Sequence, residues 1–179
     1  MMLRKLPLQK GQLFFLLSGE KDLLDSNIFT MFYNLIYYIL DRKMNLTHIE
    51  HIGIAVEDMN DAIAYYENIL GLKCYKIEEV ADQKVKTAFF QIGQTKIELL
   101  ESTAPDGPVA KFIEKKGPGI HHIAFAAKGL QESLDDAAAK GVSLIDKQPR
   151  KGAEGLNIAF LHPKSTLGVL TELCEHPEN

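Results

Sequence analysis

The alternation of apolar and polar positions runs through the same series twice. Residues 49–56 alternate at a period of two, the mark of a half-buried strand. After Asp58 the period lengthens. Met59, Ala62, Ile63, Tyr66, Ile69 and Leu70 recur at steps of three and four, which predicts an amphipathic helix closed by Gly71. Strand signals return at 73–80, 85–92 and 95–101, the last two joined by a tight Gly93-Gln94 turn. Residues 102–119, punctuated by Pro105, Gly107, Pro108, Gly117 and Pro118, read as a linker holding a short helix at 109–115. The series then restarts: strand 120–127, helix 130–140 ended by Gly141, strand 142–146, a basic loop 147–155, and strands 156–161 and 168–174. The prediction is an α+β chain of two strand–helix–strand–strand–strand modules, at about 47–101 and about 119–176, with a linker at about 102–118.

Each copy carries one histidine in its first strand and one glutamate in its last. These are His51 and Glu98, then His122 and Glu172, with spacings of 71 residues between the histidines and 74 between the glutamates. Ile49, His51, Gly53 and Ala55 share one strand face, and Ile52, Ile54 and Val56 the other. In the second copy His122, Ala124 and Ala126 oppose Ile123 and Phe125. The bulky faces predict a core beneath the helices, whereas Gly and Ala beside each histidine predict a hollow. On this alternation His121 points away from His122 and is not a ligand; His48, His162 and His176 fall on the surface or in loops.

Glu98 and Glu172 sit mid-strand among largely apolar neighbours, where a desolvated carboxylate is costly unless paired or bound to a cation. One such glutamate ordinarily faces solvent, and one such histidine ordinarily makes a structural hydrogen bond. Two of each, brought to equivalent places by duplication, predict a shared divalent metal site. Imidazole with carboxylate suits Co, Mn, Ni, Zn or Fe and leaves positions open for water or substrate.

Composition changes this picture little. At 46% hydrophobic and 25% charged, the 179 residues read as an ordinary globular chain of one domain or two small modules. A net charge of −4 supplies no basic field for nucleic acid. The two cysteines, Cys74 and Cys174, are expected as free thiols in a reducing cytoplasm. Residues 1–43 stand apart, with a net charge of +2 against −6 for the rest. Their longer apolar run, 28–40, has 13 residues, short of the roughly 20 that cross a bilayer. Their shorter run, 13–17, is followed by charges and no small-residue cleavage site, so it is not a secretory signal. The expectation is a leader outside the native fold, with translation starting at Met44 and residues 44–179 forming one domain. A membrane-surface anchor is the competing reading.

The stretches I-E-H-I-G-I-A-V from Ile49, T-K-I-E-L-L-E from Thr95, P-V-A-K-F-I-E-K-K-G from Pro108, G-I-H-H-I-A-F from Gly119 and F-L-H-P-K-S-T-L-G-V-L-T-E-L from Phe160 resemble the vicinal oxygen chelate superfamily. Within it they are most similar to the methylmalonyl-CoA epimerase family, over nearly all of residues 46–175. The resemblance implies paired βαβββ modules forming a cupped mixed sheet around a metal ion held by His51, Glu98, His122 and Glu172. Some members carry Gln at the place of Glu98. It also implies a homodimer and interconversion of (R)- and (S)-methylmalonyl-CoA through an enolate. A C2 proton flanked by a thioester and a carboxylate is only weakly acidic, and a cation on the thioester oxygen would stabilise the charge left by its removal.

Glu172 is the first candidate acid/base. Some members place a second glutamate where this chain has Thr87, so Glu98, Gln83 through a water, or water itself is left to carry the other proton. Members usually read Gly at Lys84. Lys147, Arg150, Lys151 and Lys164 are candidate contacts for coenzyme A phosphates, and the Lys164-Ser165 turn for the substrate carboxylate. The alternatives are a glyoxalase I-type lyase acting on a glutathione hemithioacetal, an extradiol dioxygenase, and a non-catalytic drug-binding protein. The linker and the H-P-K-S run favour the epimerase, and the retained His/Glu set argues against the drug-binding role.

Overall fold

The computed structural model describes residues 44–177, and the expectations for residues 1–43 lie outside the described residues. In chain order the elements are β1 (Asn45–Ala55), α1 (Met59–Asn68), β2 (Cys74–Val80), β3 (Val85–Ile92), β4 (Thr95–Ser102), α2 (Pro108–Lys116), β5 (Gly119–Lys128), α3 (Leu130–Ala139), β6 (Arg150–Lys151), β7 (Asn157–Leu161) and β8 (Leu170–Glu175).

Local chemistry sets the helix ends. The Asp58 carboxylate accepts from the N–H groups of Asn60 and Asp61 at 2.8 and 2.9 Å, so α1 starts there. At its other end the Leu72 N–H donates to the Tyr66 carbonyl at 3.0 Å, and Gly71, at φ +68°, supplies the left-handed turn this closure needs. The apolar stripe of α1 packs Met59, Ala62, Ile63 and Tyr66 against Ala88, Phe90 and Leu99. In the second copy, Leu130, Leu134 and Ala137 of α3 meet Ala159, Leu161 and Leu173, with Phe125 beside them. The bulky strand faces therefore carry the core, leaving the histidine faces to the opposite side of the sheet.

The eight strands form one mixed, curled sheet in the order β2-β3-β4-β1-β5-β8-β7-β6. Its seam is the antiparallel β1–β5 pair, with β4 parallel to β1 on one side and β8 parallel to β5 on the other. Read outward from the seam, each half has the same internal order, and this symmetry brings the equivalent residues of the two copies together.

One expected strand does not form. Residues 142–146 make a single bridge, Leu144 to Leu161. Side chains take up the neighbouring ladder donors: Ser165 Oγ accepts from the Ser143 N–H at 3.0 Å, and Asp146 Oδ2 accepts from the Phe160 N–H at 2.9 Å. The outer strand is instead the two-residue β6, inside the segment read as a loop, paired with Ile158 and Asn157.

Alternation also fails at three points of the seam. The pairing steps from Ile49–Phe125 to His51–Ala124, and from Gly53–His122 to Ile54–Ile120. Glu50 and His121 are thus the extra residues of two bulges. A third irregularity lies between Leu46 and His48.

Candidate metal centre

His51 on β1 and His122 on β5 point their Nε2 atoms at each other across the seam, 2.9 Å apart, with the rings edge to face at 5.1 Å. Glu98 on β4 and Glu172 on β8 close in from either flank. Glu98 Oε2 lies 3.2 Å from His51 Nε2 and 3.6 Å from His122 Nε2. Glu172 reaches His122 Nε2 at 3.3 Å and His51 Nε2 at 3.9 Å. All four side chains are buried and line one cavity of about 420 Å³. Donor atoms about 2.1 Å from a common ion stand roughly 3.0 Å apart at right angles and roughly 3.4 Å apart at the tetrahedral angle. The spacings of His51, Glu98 and His122 fit such a set, so these three donors are of the right kind and in the right place to hold a divalent cation, with Glu172 at the edge of the group, 3.3 Å from His122 and 3.9 Å from His51.

Gly53, paired with His122 across the seam, makes room for this convergence. A Cβ there would stand 2.3 Å from His122 Cε1. The small residues that predicted a hollow in fact admit the His122 ring.

The comparisons with known proteins follow the same lines. Residues 50–160 match the Glyoxalase/Bleomycin resistance protein/Dioxygenase superfamily. The chain is 51% identical over 130 residues to the uncharacterized protein YqjC of Bacillus subtilis, covering 73% of this chain and 93% of that one. It is 36% identical over 130 residues to human mitochondrial methylmalonyl-CoA epimerase, covering 72% and 74%. The chain belongs to the methylmalonyl-CoA epimerase family of that superfamily. Among solved members, a methylmalonyl-CoA epimerase in complex with methylmalonyl-CoA and NH4+ matches with a TM-score of 0.71 at 38% identity, covering 73% of this chain and 95% of the other. The paired-module sheet of this family is thus the frame in which the four buried side chains meet.

Behind His51 lies an ion network that the sequence reading does not single out. Glu50 accepts from His51 Nδ1 at 2.5 Å and pairs with Lys96 Nζ at 2.5 Å; Lys96 also pairs with Glu154 Oε2 at 2.6 Å. Glu154, at φ +54°, further accepts from the Tyr75 hydroxyl at 3.2 Å. The alternation K-x-E already places Lys96 on the face of Glu98. Glu50 had no such signal, because only the bulge turns it onto His51.

Charge and burial set the protonation of the metal-free site. Burial disfavours charge on His51, yet the Glu50 hydrogen bond and the nearby Glu98 and Glu172 outweigh it and raise the imidazole to about 9. Burial lifts Glu172 to about 8 and also raises Glu98. His122 is held well below its ordinary value by burial and then by His51 and His121. Burial opposes ionisation of Glu50, but its bonds to His51 and Lys96 bring it down to about 2.

Of the other residues expected at the site, Gln83 and Arg150 line the cavity. The Arg150 guanidinium lies 5.3 Å from the centre of the Phe160 ring, with its Nε donating to Asp146 at 3.2 Å. Lys151, Lys164 and Ser165 are not among the lining residues. Lys151 donates to Asn157 at 2.9 Å, Lys164 is exposed, and the Ser165 hydroxyl serves the backbone at Ser143. Thr87 lines the cavity, but its hydroxyl donates to the Glu78 carbonyl at 3.2 Å. A second buried group of potential ligands, Glu50, His51 and Cys174, is occupied otherwise. Glu50 is engaged by Lys96, and burial raises the Cys174 thiol while its Sγ donates to the Phe125 carbonyl at 3.4 Å.

Proposed function

We propose that this chain is an acyl-CoA epimerase that interconverts (R)- and (S)-methylmalonyl-CoA by removing and returning the C2 proton through an enolate, with a divalent ion (Co, Mn, Ni or Zn) held by His51, Glu98, His122 and Glu172. The observation that carries the reading is the convergence of two imidazoles and two carboxylates from the two modules in one cavity. Kinship to named epimerases supports the substrate. A divalent cation at this place supplies a Lewis acid for the thioester oxygen and so lowers the cost of charge developing at C2.

The protein's own groups do the rest. Inversion requires proton carriers on two faces of a planar enolate. Glu98 and Glu172 enter from opposite flanks of the histidine pair, on β4 and β8. Glu172 lines the cavity 3.3 Å from His122, where it can exchange a proton with a bound substrate. Glu98 is the proposed second carrier, since the Thr87 hydroxyl is engaged by Glu78. Gln83 and Arg150 on the cavity wall are the proposed substrate contacts. The described lining residues of the cavity lie between His51 and Glu172; we take residues 44–179 as the functional unit, assembled as a homodimer in the cytoplasm. Among the described residues no helix is long and apolar enough to cross a membrane.

The deciding experiment is solvent-deuterium wash-in at C2 of methylmalonyl-CoA, with and without chelator, run beside methylglyoxal plus glutathione. Chelator-sensitive wash-in supports the epimerase. Turnover of the hemithioacetal without wash-in refutes it in favour of the lyase.

A further inference from the structure

Both ligand histidines follow a bulge residue, and each bulge residue turns onto the Nδ1 atom of its neighbour. On β1 this is Glu50, whose carboxylate accepts from His51 Nδ1. On β5 it is His121, whose Nδ1 lies 2.9 Å from His122 Nδ1. Regular alternation would have put both residues on the far face of the sheet; His121 instead lines the cavity, and Glu50 lies against His51 and Lys96. Phe112 of α2 packs edge-on against the His121 ring at 4.9 Å, so the linker helix braces that ring from behind.

The proton assignment follows from the contacts. His122 turns Nε2 toward His51, Glu98 and Glu172, so a ligating lone pair must lie on that atom and the ring proton on Nδ1. Among the described residues the partner of His122 Nδ1 is the Nδ1 of His121, which must then accept and carry its own proton on Nε2.

We infer that His121 is a positioning residue for the metal site: it fixes the tautomer and ring orientation of His122 through an Nδ1–H···Nδ1 bond, the second-module counterpart of Glu50 behind His51. The duplicated halves have thus reached one solution with unlike chemistry, a carboxylate on one side and a neutral imidazole on the other. This inference rests on the metal reading of the four-residue site.

Two measurements test it. Nitrogen-15 NMR of the metal-free protein reports the ring tautomers directly. Protonated Nδ1 on His122 and protonated Nε2 on His121 are expected, and a proton on His121 Nδ1 overturns the assignment whatever the metal does. Calorimetric titration with cobalt(II) then compares wild type, His121→Phe and His121→Asn, each checked for its thermal melt. Phe keeps the ring volume without the acceptor, and affinity should fall by about 10–100-fold. Asn restores a side-chain acceptor, and should recover most of that loss. Unchanged affinity in His121→Phe overturns the inference while leaving the metal site standing. Wild-type protein that binds no cobalt removes both readings together. Should His121→Phe fail to fold, the tautomer measurement on wild type still decides.

Discussion

Glu98 and Glu172 stand as near mirror partners about the seam of the sheet. Each approaches the histidine of its own module most closely, at 3.2 and 3.3 Å, and the other module's histidine at 3.6 and 3.9 Å. They are the groups at which the proposed metal binding and the proposed proton transfer meet.

Glu172→Gln keeps the size of the side chain but removes the proposed proton carrier. The expected loss in kcat is about 10²–10⁴-fold, the usual contribution of a positioned acid/base. Cobalt affinity should fall as well, with the fold intact. Steady-state kinetics on methylmalonyl-CoA, at metal concentrations that saturate the variant, measure this. A variant that keeps full kcat at saturating metal would take Glu172 out of the chemistry.

Chelator-treated protein should lose stability as the pH rises from 6 to 9. His51 carries a folded value of about 9 against 6.5 for the free side chain, so the stability it gains from its acidic partners is whole below pH 6.5 and gone above 9. Glu172 is raised from 4.5 to about 8, so keeping it buried becomes steadily more costly through that range. Metal requires deprotonated ligands, so its stabilising effect grows over the same interval. Thermal melts with and without EDTA at several pH values should diverge toward alkaline pH. A chelated protein that melts higher at pH 9 than at pH 6 contradicts the protonation assigned here.

Gly53→Ala should disturb the site more than the fold. The added methyl meets the His122 ring at 2.3 Å from Cε1, so the ring must swing away from its partners. Overpacking of this kind costs about 1–3 kcal/mol, and cobalt affinity should drop along with it. Calorimetric titration beside a urea melt checks both; wild-type affinity in the variant would mean that the ring has another place to sit.

Lys96→Met leaves Glu50 and Glu154 without their shared cation. Lys96 is 7% exposed and Glu50 is 3% exposed, so the abandoned charge is buried. Removing one partner of a buried ion pair typically costs about 3–5 kcal/mol, and pairing the change with Glu50→Gln should recover part of it. Urea melts of the single and double variants give the answer. A single variant within 1 kcal/mol of wild type would show the network to be dispensable.

The duplicated pattern made much of this structure legible. Period-two and period-3.6 runs located both modules, and Asp58 and Gly71 marked the ends of α1 as their side chains and backbone require. The four buried His and Glu side chains were found because duplication doubled a weak signal into a joint one. What alternation could not deliver lay at its own irregularities. Bulges turned Glu50 and His121 onto His51 and His122. Side-chain acceptors at Asp146 and Ser165 broke a strand that hydropathy alone would have drawn. Glu154 reaches Lys96 from a turn 58 residues away, and no local period encodes that contact.

The joint between the halves is the antiparallel β1–β5 pair, so each half carries one mating strand edge. Severing the chain between Ser102 and Gly107 would expose those edges, and two copies of the first half could zip along them as the natural pair does. Such a self-paired fragment would enclose two copies of His51 and two of Glu98. A cage of four donors would then arise from half the polypeptide.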